Sequence, residues 1–408
     1  MSQAAQGDSA ASGGAEIGPD GTGQSPQIQN VDVAIIGGGL SGSTAAALLG
    51  RAGYAVALID NHAIYPHLFK AEKLEPDQIA LLHKMNLMDC LLPLSAPIAE
   101  VTNGRHGRVI DRTRVGQYGI LYHDMVNAVR SRIPAVVDLR IGRVADVEVG
   151  PDRQRIDLAD GNRIQARLVI LASGVGGALR QKLGIGRRLL RESHSVACGF
   201  TITPEAGRKL DFGALTYYSE RIRGRIDYLS LFPVTEGLRA NLFTYRDAHD
   251  PWLRRLAQAP RRELRALMPG LAHFLGNFTI PGKVQLRPID LERAESYRRP
   301  GVVLVGDVFQ VSCPATGTGV SKLLTDVDVL CNTHLPRWLD TPGMGAEKIA
   351  AFYDDPRKLA CDAQALRWAE YRRAVSTETG LGWELHRRRV YLRRRVRDLF
   401  DRTLRRAA

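Results

Sequence analysis

Residues 31–60, VDVAIIGGGLSGSTAAALLGRAGYAVALID, constrain the fold of this chain more than any other stretch. The run Val31–Ile36 has the continuous apolar, β-branched character of a parallel strand buried on both faces. Gly37, Gly39 and Gly42 follow as G-x-G-x-x-G. A small-residue helix then runs through Leu49, Gly53 breaks it, and a second strand, Ala55–Ile59, ends at Asp60. Each position has a physical task. Gly37 permits a tight turn, Gly39 lets a pyrophosphate approach the backbone, and Gly42 lets helix and strand pack closely. The first helical turn, with Leu40 and Ser41, points free N–H groups at phosphate. Asp60 stands where a carboxylate accepts from ribose hydroxyls. The stretch predicts a dinucleotide site on a βαβ unit and leaves NAD and FAD both open.

The rest of the composition sets the frame around that unit. A length of 408 residues with 44% hydrophobic residues allows two or more structural units. No run approaches the roughly 20 apolar residues needed to cross a bilayer. Residues 1–28 are rich in Ser, Gly, Ala and Gln, and they read as a disordered leader without the basic start and apolar stretch of a signal peptide. The five cysteines form no C-x-x-C pair, so neither a disulfide framework nor a metal site is expected, and a reducing, cytoplasmic setting fits. Net charge is +13, but residues 384–408 alone carry +7, ten Arg against Glu384, Asp398 and Asp401. The basic character is local, which argues against a general nucleic-acid binder.

A second segment chooses between the two cofactors. In residues 301–330, GVVLVGDVFQVSCPATGTGVSKLLTDVDVL, a buried strand (Val302–Val305) ends at Gly306-Asp307. A loop with Pro314, Gly317 and Gly319 leads into a helix that carries Val320 in its first turn. Asp307 at a strand end suits the ribityl chain of a flavin. A helix starting near Gly319 aims its positive end at the flavin N1/O2 edge, which becomes anionic on reduction. An NAD enzyme has no need of this element.

These motifs resemble the glycine fingerprint and the GD…P…G-x-G segment of the group A FAD-dependent monooxygenases, the p-hydroxybenzoate hydroxylase fold. The resemblance spans roughly Val31 to Leu330. It implies an α/β fold, with a Rossmann-type FAD-binding domain, an inserted antiparallel-sheet substrate domain and a C-terminal helical region. The expected boundaries are 29–190 and 291–342 for the two parts of the FAD-binding domain, 191–290 for the substrate domain and 343–408 for the helical region. Carried over by position, FAD phosphates fall at Gly37, Gly39 and Gly42, and the ribose at Asp60. Asp307 falls at the ribityl chain or pyrophosphate, with Pro314, Gly317, Gly319 and Val320 near the ring. Further cofactor contacts are implied at Lys73, His123 and Val144. The activity implied is hydroxylation of an apolar or aromatic substrate through a flavin C4a-hydroperoxide.

Two departures separate the chain from the aromatic hydroxylases. Residues 168–180, LVILASGVGGALR, carry Ser173-Gly174 where those enzymes show the Asp-Gly tied to NAD(P)H use. Electrons are therefore expected through a separate reductase. The segment is similar to that of the flavin-dependent halogenases, as is Ala71–Leu87, yet the four tryptophans never fall two apart as the halogenase Trp-x-Trp motif requires. Halogenation, reduction of alkenyl or prenyl chains as in geranylgeranyl reductases, and maturation of a protein partner are the alternative readings.

Between the two flavin segments, 194–204, 214–219, 226–233 and 238–245 read as successive strands, and Phe200, Tyr217, Tyr228, Phe232, Phe243 and Tyr245 are candidates to line a pocket for an aromatic or lipidic substrate. Lys73, Cys313 and Lys322 are the candidate catalytic side chains, and Arg287 is a candidate for closing the cavity. The C-terminal stretch repeats Leu385, Leu392, Val396, Leu399, Phe400 and Leu404 at helical spacing among arginines. Such a helix packs on its own domain or lies on an anionic membrane surface. Ser173 generates a kinetic expectation: in stopped-flow mixing, NADH or NADPH alone should bleach the flavin absorbance slowly, and an added flavin reductase should speed it.

Overall fold

The computed structural model describes residues 28–407, with side chains described through residue 400; apart from Ile28, the expected leader lies outside the described residues. Two sheets organise the chain. The first has seven strands, and its centre is Ile28–Ile36 paired in parallel with Val56–Asp60 on one side and Arg163–Leu171 on the other. Val33 lies opposite both Val56 and Leu168, so the apolar run is covered on both edges as well as both faces. Arg163–Leu171 divides its far edge: Gln154–Leu158 pairs antiparallel with its start and Val302–Leu304 pairs parallel with its end. This split brings the second cofactor motif beside the first, although about 240 residues of chain separate them.

The helix Leu40–Arg51 follows the glycine motif, and Thr318–Val329 follows Val302–Leu304. The two helices pack through Leu40 and Ala47 against Val320 and Leu324, all buried. Their N-termini therefore lie on one side of the sheet, at the carboxyl ends of the strands, where ligands bind in open α/β sheets.

The second sheet has nine strands. The stretches expected at 194–204, 214–219, 226–233 and 238–245 are strands within Gly186–Pro204, Ala214–Tyr218, Ile226–Val234 and Gly237–Thr244. The first is longer than expected because its leading half pairs antiparallel with Gln285–Glu295, across two register shifts between Leu189 and Ser195. Three further strands, Lys73–Leu74, Ala96–Arg105 and Arg108–Gly119, come from upstream of residue 191. They join because Ala214–Tyr218 needs a partner on its outer edge, which Ala96–Arg105 supplies in parallel. One face of this sheet is sealed by Trp252, Leu256, Leu264 and Leu275 from the helices after Thr244. Residues 346–407 form three helices, Ala346–Tyr353, Pro356–Thr377 and Leu381–Ala407.

A closed ion cluster ties these parts together. Lys322 and Asp326 lie one turn apart on Thr318–Val329, and Lys358 and Asp362 one turn apart on Pro356–Thr377. Asp326 accepts from Lys358 at 2.7 Å and from Lys322 at 3.1 Å, and Lys358 reaches Asp362 at 3.1 Å. The same Asp326 carboxylate accepts the Gly306 N–H at 2.8 Å, while Lys322 donates to the Gly306 carbonyl at 3.2 Å. Burial alone would push the Asp326 carboxyl up, but Lys322 and Lys358 outweigh it and hold it below its ordinary value. A depressed folded pKa means this stabilisation is complete above the ordinary carboxylate range and is lost as pH falls below it. Asp326→Ala leaves two buried ammoniums to share Asp362 alone, so one positive charge is uncompensated. It should cost about 3–5 kcal/mol, read as a lower Tm by calorimetry, and should flatten the acid limb of the stability profile.

Candidate functional site

The glycine motif folds as a cradle because a Cβ has no room in it. Gly37 has φ +106°, and a Cβ there would stand 2.6 Å from the Ala172 carbonyl oxygen. A Cβ on Gly42 would fall 1.9 Å from the Gly37 carbonyl oxygen. At Gly39 the nearest atom to such a Cβ is the Tyr122 hydroxyl at 3.8 Å, so this part of the backbone stays approachable. No side chain caps Leu40–Arg51, whose N-cap is Gly39. Ser41 touches the second motif, since a Cβ on Gly306 would meet its hydroxyl at 2.8 Å.

Asp60 ends its strand beside this loop and accepts from the Gly38 N–H at 2.6 Å and the His62 N–H at 2.9 Å. Arg130, missed by the reading of the sequence, holds both. It pairs with Asp60 at 3.1 Å and donates twice to the Gly38 carbonyl, at 2.6 and 3.0 Å. It also donates to the carbonyls of His62 and Ala63. It lies 70 residues beyond Asp60 at the end of the helix Tyr122–Arg130, so only the tertiary fold brings it in.

The second motif turns at Gly306. Asp307 lies beside Arg287 at 3.6 Å, and its carbonyl accepts from Arg187. After the short 3-10 turn Pro314–Thr316, Gly317 takes the left-handed conformation (φ +70°) and becomes the N-cap of Thr318–Val329, again with no side-chain cap. Gln78 fixes this start by donating to the Gly317 carbonyl at 2.8 Å and to Ser321 at 3.0 Å. Two uncapped helix starts, two glycine turns without room for Cβ atoms, and acids at two strand ends fit the diphosphate, ribose and ring of a dinucleotide.

A cavity of about 180 Å³ lies between the second motif and the open face of the second sheet. Strand alternation decides which side chains reach it. Ala197, Tyr228, Ser230, Phe232, Asn241 and Phe243 line it, while their neighbours Cys198, Leu229, Leu231 and Leu242 pack into the opposite core. Three of the six candidate aromatics thus face the cavity. Phe200 and Tyr217 occupy the core under the helices, and Tyr245 turns to Asp227. Tyr228 also donates to the Ala315 carbonyl at 2.8 Å, joining the sheet to the flavin loop.

The remaining candidates separate. Lys73 lines the cavity, paired with Glu75 at 3.1 Å. Cys313 lines it too, fully buried, and burial pushes its thiol up to about 11, so it is protonated near neutral pH. Asp307, Pro314, Gly317, Gly319, Val320 and Arg287 also face it. Lys322 does not: although it lies one turn from Gly319, its ammonium is drawn into the ion cluster by Asp326 and the Gly306 carbonyl. His123 stacks on His67 with ring centroids 3.6 Å apart, and the adjacent Tyr122 faces the cavity in its place. Val144 opens the strand Val144–Glu148 and is buried in the core of the first sheet.

Sequence reading also missed Glu72. Buried in the cavity wall, it accepts from Arg239 at 2.7 Å. Burial pushes its carboxyl above the ordinary value, against Arg239 and Asn241, which pull it down. Arg239 stands over the Phe69 ring at 5.5 Å, and Gly199 leaves the room this ring needs: a Cβ there would meet it at 2.5 Å. The signal was its place beside Lys73 in the run Ala71–Leu74, but nothing local shows which of the two charges is buried.

Comparison with known proteins identifies the class. A family model described as the FAD binding domain matches residues 30–333, and the chain belongs to that family. Among curated relatives, 3-amino-4-hydroxybenzoate 2-monooxygenase PtnB3 of Streptomyces platensis is 28% identical over 179 residues, 41% of this chain and 45% of that protein. The match therefore spans less than half the length of that relative. The 3-demethoxyubiquinol 3-hydroxylase of Escherichia coli K12 is 26% identical over 334 residues, 74% of this chain and 79% of the other. Solved structures share the fold: p-nitrophenol 4-monooxygenase PnpA from Pseudomonas putida DLL-E4 superposes with a TM-score of 0.73 at 16% identity, covering 89% of this chain and 93% of its own. The flavin-dependent brominase Bmp2 gives 0.67 at 16% identity, covering 86% and 91%.

The cradle makes its own prediction. Gly42→Ala should weaken FAD binding roughly ten- to a hundredfold, equivalent to ~1–3 kcal/mol of overpacking, in a fluorescence titration of apoprotein. Gly116→Ala, where a Cβ meets nothing within 4 Å, should leave it unchanged.

Proposed function

We propose that this chain is an FAD-dependent monooxygenase that hydroxylates an apolar or aromatic substrate. One observation carries the reading: the start of Thr318–Val329 and Asp307 meet the aromatic face of the second sheet across a single cavity. Membership of the FAD-binding family and the monooxygenase and hydroxylase relatives support it.

The residues of this chain then have distinct tasks. Gly37, Gly39, Leu40, Ser41 and Gly42 hold the diphosphate, and Asp60, braced by Arg130, takes the ribose. Asp307 takes the ribityl chain, and the N–H groups beginning at Gly319 donate toward the ring edge that gains negative charge. When bound, FAD supplies the electrons that reduce O₂, one oxygen atom entering the substrate and the other leaving as water. Tyr228, Phe232, Phe243, Ala197 and Ile289 exclude water and seat an apolar or aromatic body beside the ring. The Glu72–Arg239 pair, with Asn241, forms the polar end of the same wall and orients a hydroxyl or carbonyl of the substrate. Cys313, with its thiol held protonated, packs rather than attacks. Ser173 stands in the turn after Arg163–Leu171, against Gly37, and supports reduction by a separate reductase.

Chemically reduced protein should be mixed with isotopically labelled O₂ and a panel of phenols and prenylated quinols. Labelled hydroxyl in one product is expected, and Phe243→Ala should divert oxygen toward hydrogen peroxide. Peroxide as the sole oxygen product across the panel would sink the reading.

A further inference from the structure

The C-terminal helix Leu381–Ala407 packs the opposite way from an ordinary terminal helix. Its polar side faces the protein. Arg394 forks onto Asp111 at 2.6 and 2.9 Å and reaches the Tyr218 hydroxyl at 2.9 Å. Arg395 donates to the Val109 carbonyl, Arg387 to those of Val375 and Glu378, and His386 meets Tyr371 at 3.0 Å. Its apolar side faces outward: Leu381 is 80% exposed, Leu385 54%, Leu392 63%, Val396 42% and Phe400 66%. These positions fall on an arc of roughly 100° on a helical wheel. Exposed Arg388 and Arg393 border the arc, and exposed Arg389 falls within it, beside Phe400 on the wheel.

An apolar stripe bordered by arginines and turned to solvent needs an apolar surface with negative charge at its rim. We infer that this face docks the protein on an anionic lipid bilayer, with the stripe in the headgroup–acyl boundary and the arginines among the lipid phosphates. A second copy of the chain fits less well, because stripe-to-stripe pairing brings two arginine borders together. The attachment is peripheral, since no helix among the described residues is long and apolar enough to cross a membrane.

The placement has a consequence for the cavity. The preceding helix Pro356–Thr377 packs Leu366 and Ala369 against Phe243, Cys313 and Ala315, and its Arg372 grips Asp227 at 2.6 Å. Residues 378–380 alone join it to the docking helix. Docking thus holds one wall of the cavity close to the bilayer, where a lipid-soluble substrate partitions. The inference does not depend on the reaction catalysed.

The test is sedimentation of the FAD-loaded full chain with vesicles of phosphatidylcholine, alone or mixed with phosphatidylglycerol. Binding to the mixed vesicles is expected, with little to phosphatidylcholine alone, and it should weaken as salt rises. Leu385→Ser with Leu392→Ser should lower partitioning by a factor on the order of tenfold or more. Arg389→Gln and Arg393→Gln should each lower it about fivefold. All four positions are exposed, so flavin absorbance and thermal unfolding should be unchanged, which separates lost docking from lost folding. Equal sedimentation with both vesicle types, or a double serine variant that binds as the parent does, would overturn the inference. So would gel filtration showing a dimer that the serine variant dissociates, since the stripe would then belong to a second copy.

Discussion

Two carboxylates and two ammoniums sealed from water at the junction of Thr318–Val329 and Pro356–Thr377 set the position of the cofactor loop. Asp326 and Lys322 together hold the N–H and carbonyl of Gly306, the residue at which the chain leaves the first sheet. Asp307, the flavin loop and the start of the next helix all follow from that turn. Such a cluster tolerates little change, because each charge is compensated only while the others stay in place. The Lys358 ammonium also lies over the Phe309 ring at 4.0 Å, so aromatic packing closes the cluster on a further side. The C-terminal helices are therefore joined to the site through this junction, although they contribute no residue to the glycine cradle.

The cavity depends on a simpler constraint, the two-residue period of strands. On Ile226–Val234 and Gly237–Thr244, Tyr228, Phe232 and Phe243 face the first unit, and the alternate residues Leu229, Leu231 and Leu242 face the helical layer. The face toward the cofactor is aromatic with one polar end, where Glu72, Arg239 and Asn241 meet. An apolar wall with a small polar cluster binds and orients an organic substrate while keeping water from the ring. Burial pushes the Glu72 carboxyl up there, and Arg239, buried with it, opposes that push.

Much of the fold was legible because its strongest signals are local. The glycine spacing at 37–42, the acid at Asp60 and the strand–loop–helix at 302–320 are each short segments whose backbone demands one residue type. Candidates judged by proximity in sequence fared differently. Lys322 lies five residues from Gly317, yet Asp326 draws its ammonium into the buried cluster and away from the cavity; Tyr122, rather than His123, faces the cavity because adjacent helical residues point about 100° apart. Glu72 and Arg130 carried no local mark, since their roles come from partners 167 and 70 residues away.

By itself the sequence determined that this chain builds a βαβ dinucleotide cradle and a second, flavin-type loop, because positive φ, absent Cβ atoms and strand periodicity are properties of a few adjacent residues. The tertiary structure decided what surrounds them. It chose which aromatics face the cofactor and which charges are buried as a cluster. It also turned the apolar side of the C-terminal helix outward, which helical spacing alone left open. Those outcomes depend on which surfaces meet at long separation. Asp111 capturing Arg394 across 283 residues fixes the rotation of that helix, and no local pattern encodes such a partner.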